Sequence, residues 1–422
     1  MRQRPHILEV SLNDDVVGTI TNVHDRNIFV FDEAYRANAN RPILSLGFLD
    51  TTGGLISDVR PTQRELHPYF SNLLPEGKLR EYVSEAADIN PEREFHLLWA
   101  LGKDLPGAVR VQVIGISEQE EHGDPETLRA EHSPLKFSLA GVQLKFSALA
   151  GATAGMTIPV NGLGGDWILK LPSATHDAVA ENEFVMLGLA EALGIETPQR
   201  KLLDISEIQG LPDGPSQLKG NALAVRRYDR AAGGRRIHQE DLNQVFVQYP
   251  RDKYKKRNFS NLTAVVADQA GVAAGLDVVR RLTLNTIIGN GDMHLKNWSF
   301  VYPDGRTRKL APAYDYVATI PYLPNDKLAL NFGESKNFFP VDRERSNRFA
   351  AKARLAEEEV WNEIAETAAK TWDEWKRSPA SDIIPAEIYG RINAQIEKSM
   401  TEFVLDPAPA AKPDRPPATE QV

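Results

Sequence analysis

The amino-acid sequence predicts an α+β fold in which a β-rich N-terminal region precedes a helical C-terminal region. Short runs of alternating apolar and polar residues, typical of half-buried strands, recur along the first half of the chain. After residue 239 the apolar residues recur mainly at helical spacing. The chain shows no internal repeat, so these two patterns indicate successive structural regions rather than a solenoid.

The composition is that of a globular protein. With 422 residues the chain can form two or three domains, each with its own core. The net charge of -9 gives no overall attraction for nucleic acid. The absence of cysteine excludes disulfides, thiolate zinc sites and cysteine nucleophiles, and it favours a reducing cytoplasm. Because neither a signal-peptide core nor an apolar span of about 20 residues is present, we expect a cytoplasmic protein without a membrane segment.

The N-terminal region is expected to form a domain over residues 1–116. Residues 7–31 contain three short alternating runs separated by Asn and Asp residues that favour turns, so they predict a small antiparallel sheet. A helical region is predicted over residues 70–100, and residues 110–114 predict a further strand. Residues 117–132 are acidic and rich in turn formers, and they predict a linker.

A second group of strands is predicted over residues 133–230, which we expect to form the next domain. One strand covers residues 141–147 and another covers residues 166–172. In the second strand Lys170 alternates with apolar residues, and an ammonium group on a buried face is costly unless it has a partner. The acidic residues at 181–183, which open the following helix, are candidate partners.

The end of this group marks the boundary to the helical region. Residues 222–225 predict a short buried strand, and the charged and glycine-rich residues 226–234 predict a hinge between two lobes. A helical lobe is expected over residues 231–405, and the Pro- and Ala-rich residues 406–422 predict a disordered tail. Helices are predicted over residues 241–248, 262–275, 278–288, 357–376 and 384–403.

A polar loop at residues 288–300 lies between a buried helix and a strand-like run, which is typical of an active site. Asp292 and Asn297 are five residues apart, the spacing of the base Asp and the metal-binding Asn in the catalytic loop of protein kinases. Asp315, after a short strand-like segment, would supply a second oxygen ligand for magnesium. The alternative is that Asp292 and Asn297 only form turns or helix caps.

Three further features have both a structural and a functional interpretation. His294 is either a structural histidine or a part of the site. Residues 238–241 predict a helix start with acidic residues in its first turn, and a metal site is the alternative. The basic run at residues 251–257 predicts a solvated face, and binding to a partner or to nucleic acid is the alternative.

Five short motifs follow one another between residues 138 and 315. They are the Ser-x-Ala-Gly-x-Gln-x-Lys segment at 138–145, the lysine strand at 168–172, the hinge and helix start at 227–230 and 238–241, the polar loop at 289–297, and the Pro-Ala-Tyr-Asp motif at 312–315. In type and order they resemble the HipA family of bacterial toxin serine/threonine kinases, and residues 72–77 extend the resemblance into the N-terminal region. Gly291 stands where Thr or Ser is commoner in the family.

The resemblance implies a two-lobe fold related to protein kinases and phosphatidylinositol kinases, with a β-rich N-terminal region and an all-α C-terminal lobe. Residues 1–116 would then form the N-terminal subdomain of the family. Residues 133–230 would form the kinase N-lobe, with the phosphate loop and the catalytic lysine. Residues 231–405 would form the C-lobe, with the catalytic loop.

The resemblance also implies a role for each matched residue. Asp292 would be the catalytic base, and Lys170 would contact the nucleotide phosphates. Asn297 and Asp315 would hold magnesium. Ser138 matches the serine that family members autophosphorylate. The implied nucleotide contacts are Ala140, Gly141, Val142, Gln143, Leu144, Lys145, Lys170, Arg226, Arg227, Tyr228, His294, Leu295, Lys296, Asn297, Tyr314 and Asp315.

From the resemblance we expect an ATP- and Mg²⁺-dependent serine/threonine protein kinase, a toxin that phosphorylates a translation component. Its partners would be a HipB-like DNA-binding antitoxin, through which it contacts DNA indirectly, and a protein substrate such as an aminoacyl-tRNA synthetase. Two alternatives stay open: a small-molecule or lipid kinase of the same fold, and a non-catalytic co-repressor subunit of an antitoxin–DNA complex. The presence of Lys170, Asp292, Asn297 and Asp315 argues against the second alternative.

Overall fold

The structure is a computed structural model that describes residues 6–114, 145–150, 156–158, 165–211 and 218–403. Within these residues the chain forms a five-stranded sheet, a six-stranded sheet, and a helical region that contains a third sheet of three strands. The predicted α+β class is therefore confirmed. In this part of the chain, no helix combines the length and the apolar surface that crossing a membrane requires.

The N-terminal domain is built on an antiparallel sheet. Its strands are β1 (Ile7–Leu12), β2 (Asp15–Val23), β3 (Arg26–Phe31), β4 (Thr62–Gln63) and β5 (Val109–Val113), in the spatial order β4-β3-β2-β1-β5. Alternation places Leu8, Val10 and Leu12 in the core, as the period of two predicts. The core is completed by residues from helices α1 (Glu33–Ala37), α2 (Pro68–Ser71), α3 (Gly77–Ala86) and α4 (Glu94–Leu101). The sheet predicted for residues 7–31 and the strand predicted for residues 110–114 are confirmed.

The second sheet brings two lysines to the same level of neighbouring strands. Its strands are β6 (Lys145–Ala150), β7 (Met156–Thr157), β8 (Trp167–Lys170), β9 (Arg200–Asp204), β10 (Ile208–Gln209) and β11 (Asn221–Arg226), in the spatial order β10-β7-β6-β8-β11-β9. Helix α5 (Val179–Ala192) follows β8 and packs against β9 and β11. In the antiparallel pair of β6 and β8, Lys145 lies opposite Lys170. Like charges in opposed positions destabilise a sheet, so this pair requires carboxylate neighbours.

The helical region is organised around one buried helix. Its helices are α6 (Leu242–Val245), α7 (Phe259–Ala270), α8 (Val272–Ile288), α9 (Arg343–Ala353), α10 (Glu357–Arg377), α11 (Ala380–Ile383) and α12 (Ala386–Glu402). Helix α8 packs against α7, α10 and α12, and its residues 282–288 are all buried. It ends at Gly289, whose φ of 69° lies in the left-handed region that glycine adopts at little cost. The polar loop therefore starts from a rigid element in the core.

The prediction of a helix start at residues 238–241 is wrong, because these residues form a strand. His238 and Glu240 are buried while Gln239 and Asp241 are partly exposed, which is the period of a strand. Strand β12 (His238–Asp241) pairs with β13 (Ser299–Tyr302), which pairs with β14 (Lys309–Leu310). Asp241 then caps α6 by accepting a hydrogen bond of 2.8 Å from the Gln244 N–H. The C-terminal lobe, expected to be all-α, thus contains a small sheet.

The helices differ from the prediction at one boundary and by one additional helix. The break between the two predicted helices of residues 262–288 falls at Gly271, whose φ of 92° ends α7. Helix α9 was not predicted, because charged residues make up nearly half of its sequence and Phe349 is its only large apolar residue.

Candidate active site

A buried lysine between two acidic side chains forms the centre of the candidate site. Lys170, at the end of β8, is only 4% exposed, and its ammonium group donates to the carboxylates of Glu183 and Asp315. Glu183 lies near the start of α5, within the residues 181–183 that were predicted to supply a partner. Asp315 lies in the segment after β14. A strand, a helix and a loop therefore converge on one ammonium group.

Lys170 and Asp315 hold each other in their charged forms. Burial alone would lower the pKa of Lys170, but the carboxylates of Asp315 and Glu183 reverse that effect and raise it. Burial alone would raise the pKa of Asp315, but the ammonium groups of Lys145 and Lys170 hold it well below its usual range. Burial raises the pKa of Glu183, and the attraction of Lys170 offsets only part of that rise. Lys170 is therefore a cation and Asp315 an anion at neutral pH.

Lys145 is the solvent-facing member of the cluster. Its ammonium group lies 3.3 and 3.4 Å from the two carboxylate oxygens of Asp315, and its side chain is 42% exposed. Asp315 has a φ of 56°, in the left-handed region that Asp enters more readily than most residues. The two lysines can bind an anion. Once a lysine moves away from Asp315, the carboxylate of Asp315 can bind a cation.

The polar loop after α8 is held by its own side-chain amides. Asn290 Nδ2 donates to Asn285 Oδ1 at 2.7 Å, and Asn290 Oδ1 accepts from the Asp292 N–H at 3.0 Å. Asn297 Nδ2 donates to the carbonyl oxygen of Asp292 at 2.8 Å. These bonds fix the backbone that carries the Asp292 carboxylate. The spacing of five residues lets the loop turn back so that the Asn297 side chain reaches the Asp292 carbonyl oxygen.

Gly291 lies where the structure leaves no room for a side chain. A Cβ atom at this position would lie 2.0 Å from Asp326 Oδ2 and 2.6 Å from the carbonyl oxygen of Lys327. The Gly291 N–H also donates to Thr319 Oγ1 at 2.8 Å. Glycine therefore lets the polar loop pack closely against this neighbouring segment.

The Asp292 carboxylate has a partner that the sequence analysis did not single out. The Tyr254 hydroxyl donates to Asp292 Oδ1, although Tyr254 is 38% exposed. The Tyr254 ring packs edge-on against the imidazole of His294, with the ring centroids 4.9 Å apart. Burial raises the pKa of Asp292, and the hydrogen bond from Tyr254 opposes that rise. A half-enclosed carboxylate of raised pKa is suited to accepting a proton.

His294 is a neutral side chain at neutral pH. Burial and the nearby ammonium group of Lys253 lower the pKa of His294 to about 3. His294 is buried, and within the described residues its Nδ1 has no hydrogen-bond partner. A buried ring nitrogen without a partner costs free energy, and a ligand bound beside it would remove that cost.

The side chains of the predicted hinge are bonded to the protein. Arg227 is buried, and it donates to Asp104 at 3.1 Å and to both carboxylate oxygens of Asp229 at 2.9 Å. Arg226 donates to the side-chain oxygen of Gln199 at 3.0 Å. A nucleotide base at this hinge would therefore meet its backbone rather than these two guanidinium groups.

The two tyrosines of the predicted site connect the predicted hinge to the polar loop. The rings of Tyr228 and Tyr314 lie 5.8 Å apart. The Tyr314 hydroxyl donates to the carbonyl oxygen of Lys296 at 2.9 Å and lies 2.6 Å from Ser299 Oγ. The spacing of residues along the chain gave no sign of this contact.

Leu295 and Lys296 direct their side chains into the protein. Leu295 is fully buried in the core, and its N–H donates to the carbonyl oxygen of Lys253 at 3.3 Å. Lys296 Nζ donates to the carbonyl oxygen of Asn72 at 3.0 Å and lies 3.1 Å from Glu76 Oε1. The N-terminal domain thus supports the polar loop through the carbonyl oxygen of Asn72 and the carboxylate of Glu76.

Part of the predicted site lies outside the described residues. This part includes the predicted autophosphorylation site and most of the predicted phosphate loop: Ser138, Ala140, Gly141, Val142, Gln143 and Leu144. The described chain resumes at Lys145, the first residue of β6. The predicted loop therefore leads directly into the strand whose first side chain contacts Asp315.

Comparison with known proteins identifies relatives along most of the chain. The family model of the HipA-like C-terminal domain matches residues 137–375, and that of the HipA N-terminal domain matches residues 8–112. Y4dM of Sinorhizobium fredii, named as a candidate kinase, is 44% identical over 374 residues, which are 88% of this chain and 91% of that protein. The serine/threonine-protein kinase toxin HipA of Shewanella oneidensis is 25% identical over 75% of this chain and 76% of that protein.

A solved structure shares the fold. In the complex of Shewanella oneidensis HipA with HipB and its operator DNA, one chain matches with a TM-score of 0.71 and 20% sequence identity. The match covers 94% of this chain and 97% of that chain, and it confirms the two-lobe, kinase-like α+β fold. Two family models and a relative of 44% identity agree, so this chain belongs to the HipA family of kinases.

Proposed function

We propose that this chain is an ATP- and Mg²⁺-dependent serine/threonine protein kinase. The observation that carries the proposal is the pairing of buried Lys170 with Glu183 and Asp315. The polar loop with Asp292 and Asn297 adjoins this cluster, because Tyr314, the residue before Asp315, donates to the carbonyl oxygen of Lys296 at 2.9 Å. Phosphoryl transfer requires cations that neutralise phosphate charge and a carboxylate that orients the acceptor hydroxyl, and this site holds candidates for both.

The residues around Asp315 fit a magnesium ion held jointly with nucleotide phosphates. Magnesium prefers oxygen ligands, commonly one or two carboxylates completed by phosphate and water. Asp315 is anionic at neutral pH, and within the described residues Asn297 Oδ1 accepts no hydrogen bond. In the same part of the chain, His, Asp and Glu do not converge in groups of three that could hold a metal ion. We therefore expect metal affinity to depend on the nucleotide.

Each residue of the cluster then has one task. Lys170 and Lys145 would exchange part of their contact with Asp315 for the phosphate oxygens of the nucleotide. Asp292 would accept the proton of the acceptor hydroxyl, and Asn297 would hold Asp292 in place while its Oδ1 faces the metal. A bound magnesium ion would supply neutralisation of the phosphate charge.

We also propose Ser138 as the site of autophosphorylation, on the strength of the family motif at residues 138–145. A phosphate on Ser138 adds nearly two negative charges next to the proposed phosphate loop, residues 140–145. Repulsion between this charge and the phosphates of ATP would weaken nucleotide binding. Autophosphorylation would therefore switch the kinase off.

For the biological setting we propose a cytoplasmic toxin of a toxin–antitoxin pair. The Shewanella oneidensis relative is named as a kinase toxin, and its structure includes HipB and operator DNA. By this likeness we propose a HipB-like antitoxin as the partner, through which contact with DNA is indirect. From the family motifs of the sequence alone we propose a translation protein, such as an aminoacyl-tRNA synthetase, as the substrate. We propose the domains as residues 1–116, 133–230 and 231–405, with a tail at residues 406–422.

The proposal is tested by incubating the purified full chain with ATP, Mg²⁺ and a cell lysate, followed by mass spectrometry. New phosphoserine or phosphothreonine in proteins supports it. A phosphorylated lipid or small molecule would instead identify the alternative kinase class. If no product forms and ATP with Mg²⁺ does not raise the melting temperature, the chain is a non-catalytic subunit.

A further inference from the structure

The basic segment at residues 251–257 borders the candidate base, and the proposed chemistry leaves most of it without a role. It holds five basic residues and one acidic residue in a chain whose net charge is -9. The carbonyl oxygen of Lys253 accepts a hydrogen bond of 3.3 Å from the Leu295 N–H. One residue later, the Tyr254 hydroxyl donates to Asp292. Two successive residues therefore fasten this segment to the catalytic loop.

The cations after Tyr254 face solvent. Lys255, Lys256 and Arg257 are all exposed. Lys256 is paired with Asp252 at 2.7 Å, whereas within the described residues neither Lys255 nor Arg257 has a carboxylate partner within ion-pair distance. The Arg257 guanidinium group lies 5.0 Å from the ring centroid of Phe246, which restricts its position while leaving its charge available. The segment thus presents fixed positive charge at the edge of the site.

The position of Tyr254 shows where a phosphate acceptor must approach. Its hydroxyl occupies Asp292 Oδ1, and a substrate hydroxyl that gives its proton to Asp292 must reach the same carboxylate. Lys255 is the next residue, and the Cα atom of Arg257 lies at most about 11 Å from that of Tyr254. An extended peptide advances about 3.3 Å per residue, so side chains within about four positions of its acceptor hydroxyl can reach these cations.

Nucleic acid fits this segment less well than a protein does. Stacking of bases on an aromatic ring needs a free ring face and a basic groove. Tyr254 is instead fastened to Asp292 and packed against His294, and the carboxylate of Glu76 lies 3.0 Å from Lys253. The carboxylates of Asp292 and Glu76 would repel the continuous negative charge of a phosphate backbone. A protein substrate can instead place single carboxylates near Lys255 and Arg257, away from these two groups.

We propose that residues 251–257 form the acceptor-binding edge of the site and select protein substrates with acidic residues close to the phosphorylated Ser or Thr. This inference rests on the proposed kinase function and names the class of substrate that the same site accepts. Exposed charges act mainly on encounter and selection, so the preference is expected in KM more than in kcat.

The first test compares three synthetic peptides with the same single serine. The residues beside this serine are Glu in the first peptide, Ala in the second and Lys in the third. With the full wild-type chain, ATP and Mg²⁺, kcat/KM is expected to be about tenfold higher for the Glu peptide than for the Ala peptide, and lowest for the Lys peptide. Added salt should shrink these differences. Equal rates, or transfer to lysate proteins without transfer to any peptide, would overturn the inference and leave the kinase function standing. No transfer to peptide or lysate protein, together with no ATP-dependent stabilisation, would remove the kinase function itself.

The second test reverses the charge of the segment. In Lys255→Glu/Arg257→Glu the order of the peptides should invert, so that the Lys peptide becomes the best substrate. Misfolding cannot produce an inverted preference. The matched control is Lys376→Glu/Lys398→Glu, which makes the same change of net charge on α10 and α12 and should keep the wild-type order. Two results together would overturn the inference and assign the segment to nucleic acid. Oligouridylate would inhibit the wild type but not the charge-reversed variant, and the variant would keep the wild-type order of the three peptides.

Discussion

At the residue scale, the proposed role of Asp292 depends on how its backbone is held and on which groups bond to its carboxylate. Its backbone is fixed by Asn290 and Asn297, so the side chain has a defined position before any ligand binds. Tyr254 donates to one carboxylate oxygen and stabilises the ionised form. Tyr254 therefore extends toward lower pH the range in which Asp292 is ionised and could act as a base.

Replacement of Tyr254 by Phe tests this role through the pH profile. The variant loses the hydrogen bond that lowers the pKa of Asp292, so burial raises this pKa further. A base works only when ionised, and the loss of kcat/KM on the acid side is therefore expected to begin at a higher pH than in wild type. Rates at alkaline pH should differ less. An unchanged acid limb would show that Tyr254 does not act on Asp292.

The sequence reveals some of these residues and hides others for physical reasons. Lys170 was identified because a lysine among apolar residues in a strand needs a buried partner, and Glu183 is that partner. Asp292 and Asn297 were identified because their spacing lies within one loop. Tyr254 is 38 residues from Asp292 along the chain, and only tertiary structure brings the two together. Local patterns carry no information on such contacts.

At the scale of elements, the pairing of β8 with α5 depends on buried charge. Lys170 ends the strand, Glu183 lies near the start of the helix, and both are almost fully buried. A charge taken out of water is tolerated only beside an opposite charge of good geometry. The same contact that positions Lys170, the proposed phosphate-binding lysine, therefore also couples the two elements mechanically.

Removal of the cation should destabilise the fold more than removal of the pair. Lys170→Met leaves the buried carboxylate of Glu183 and the partly buried carboxylate of Asp315 with Lys145 as the remaining lysine, so the free energy of unfolding is expected to fall by about 3–5 kcal/mol. The double variant Lys170→Met/Glu183→Gln should recover a large part of this loss, because fewer charges stay uncompensated. Urea denaturation of both variants measures the difference. Equal losses in the single and double variants would contradict the coupling.

Helices and strands were predicted correctly where their buried face is apolar. They were predicted wrongly where polar residues lie on the buried face. Strands with an apolar inner face and the long buried helix α8 follow the expected periods. Residues 238–241 were mistaken for a helix start because His238 and Glu240 are polar on the buried face of β12. Their partners come from distant parts of the chain, among them Leu44 and Ser45.

At the scale of the whole molecule, buried and partly buried polar contacts join the N-terminal domain to the rest of the chain. Asp104 forms ion pairs with the hinge arginines, and the partly exposed Glu76 forms ion pairs with Lys253 and with Lys296 of the polar loop. Glu240 of β12 accepts hydrogen bonds from Ser45 Oγ at 2.5 Å, from the Leu46 N–H at 3.0 Å and from the Tyr302 hydroxyl. The two parts are therefore expected to unfold as one cooperative unit.

Glu240→Gln tests this junction through the dependence of stability on pH. Burial raises the pKa of Glu240 from 4.5 to about 7, so the folded state keeps a proton that the unfolded state releases. The contribution of this group to the free energy of unfolding is fully present below pH 4.5. It is lost as the pH rises from 4.5 through about 7, and the loss amounts to about 3 kcal/mol. The variant lacks this loss, whereas the contribution of Asp241, whose pKa is raised by burial to about 6, remains in both proteins. Parallel stability curves for the two proteins would contradict the role of Glu240.

The central claim is that Asp292 is the catalytic base of a kinase, and phosphoryl transfer by the full-length Asp292→Asn variant tests it most directly. Transfer to Ser138 and to lysate proteins should fall by about 10²- to 10⁴-fold, the range expected when a general base is removed. The melting temperature and its rise with ATP and Mg²⁺ should stay close to wild type, because the amide keeps the size of the side chain and an oxygen that Tyr254 can bond. Asp382→Asn, an exposed change on α11, is the matched control and should retain full transfer. Autophosphorylation of Asp292→Asn at the wild-type rate would contradict the account.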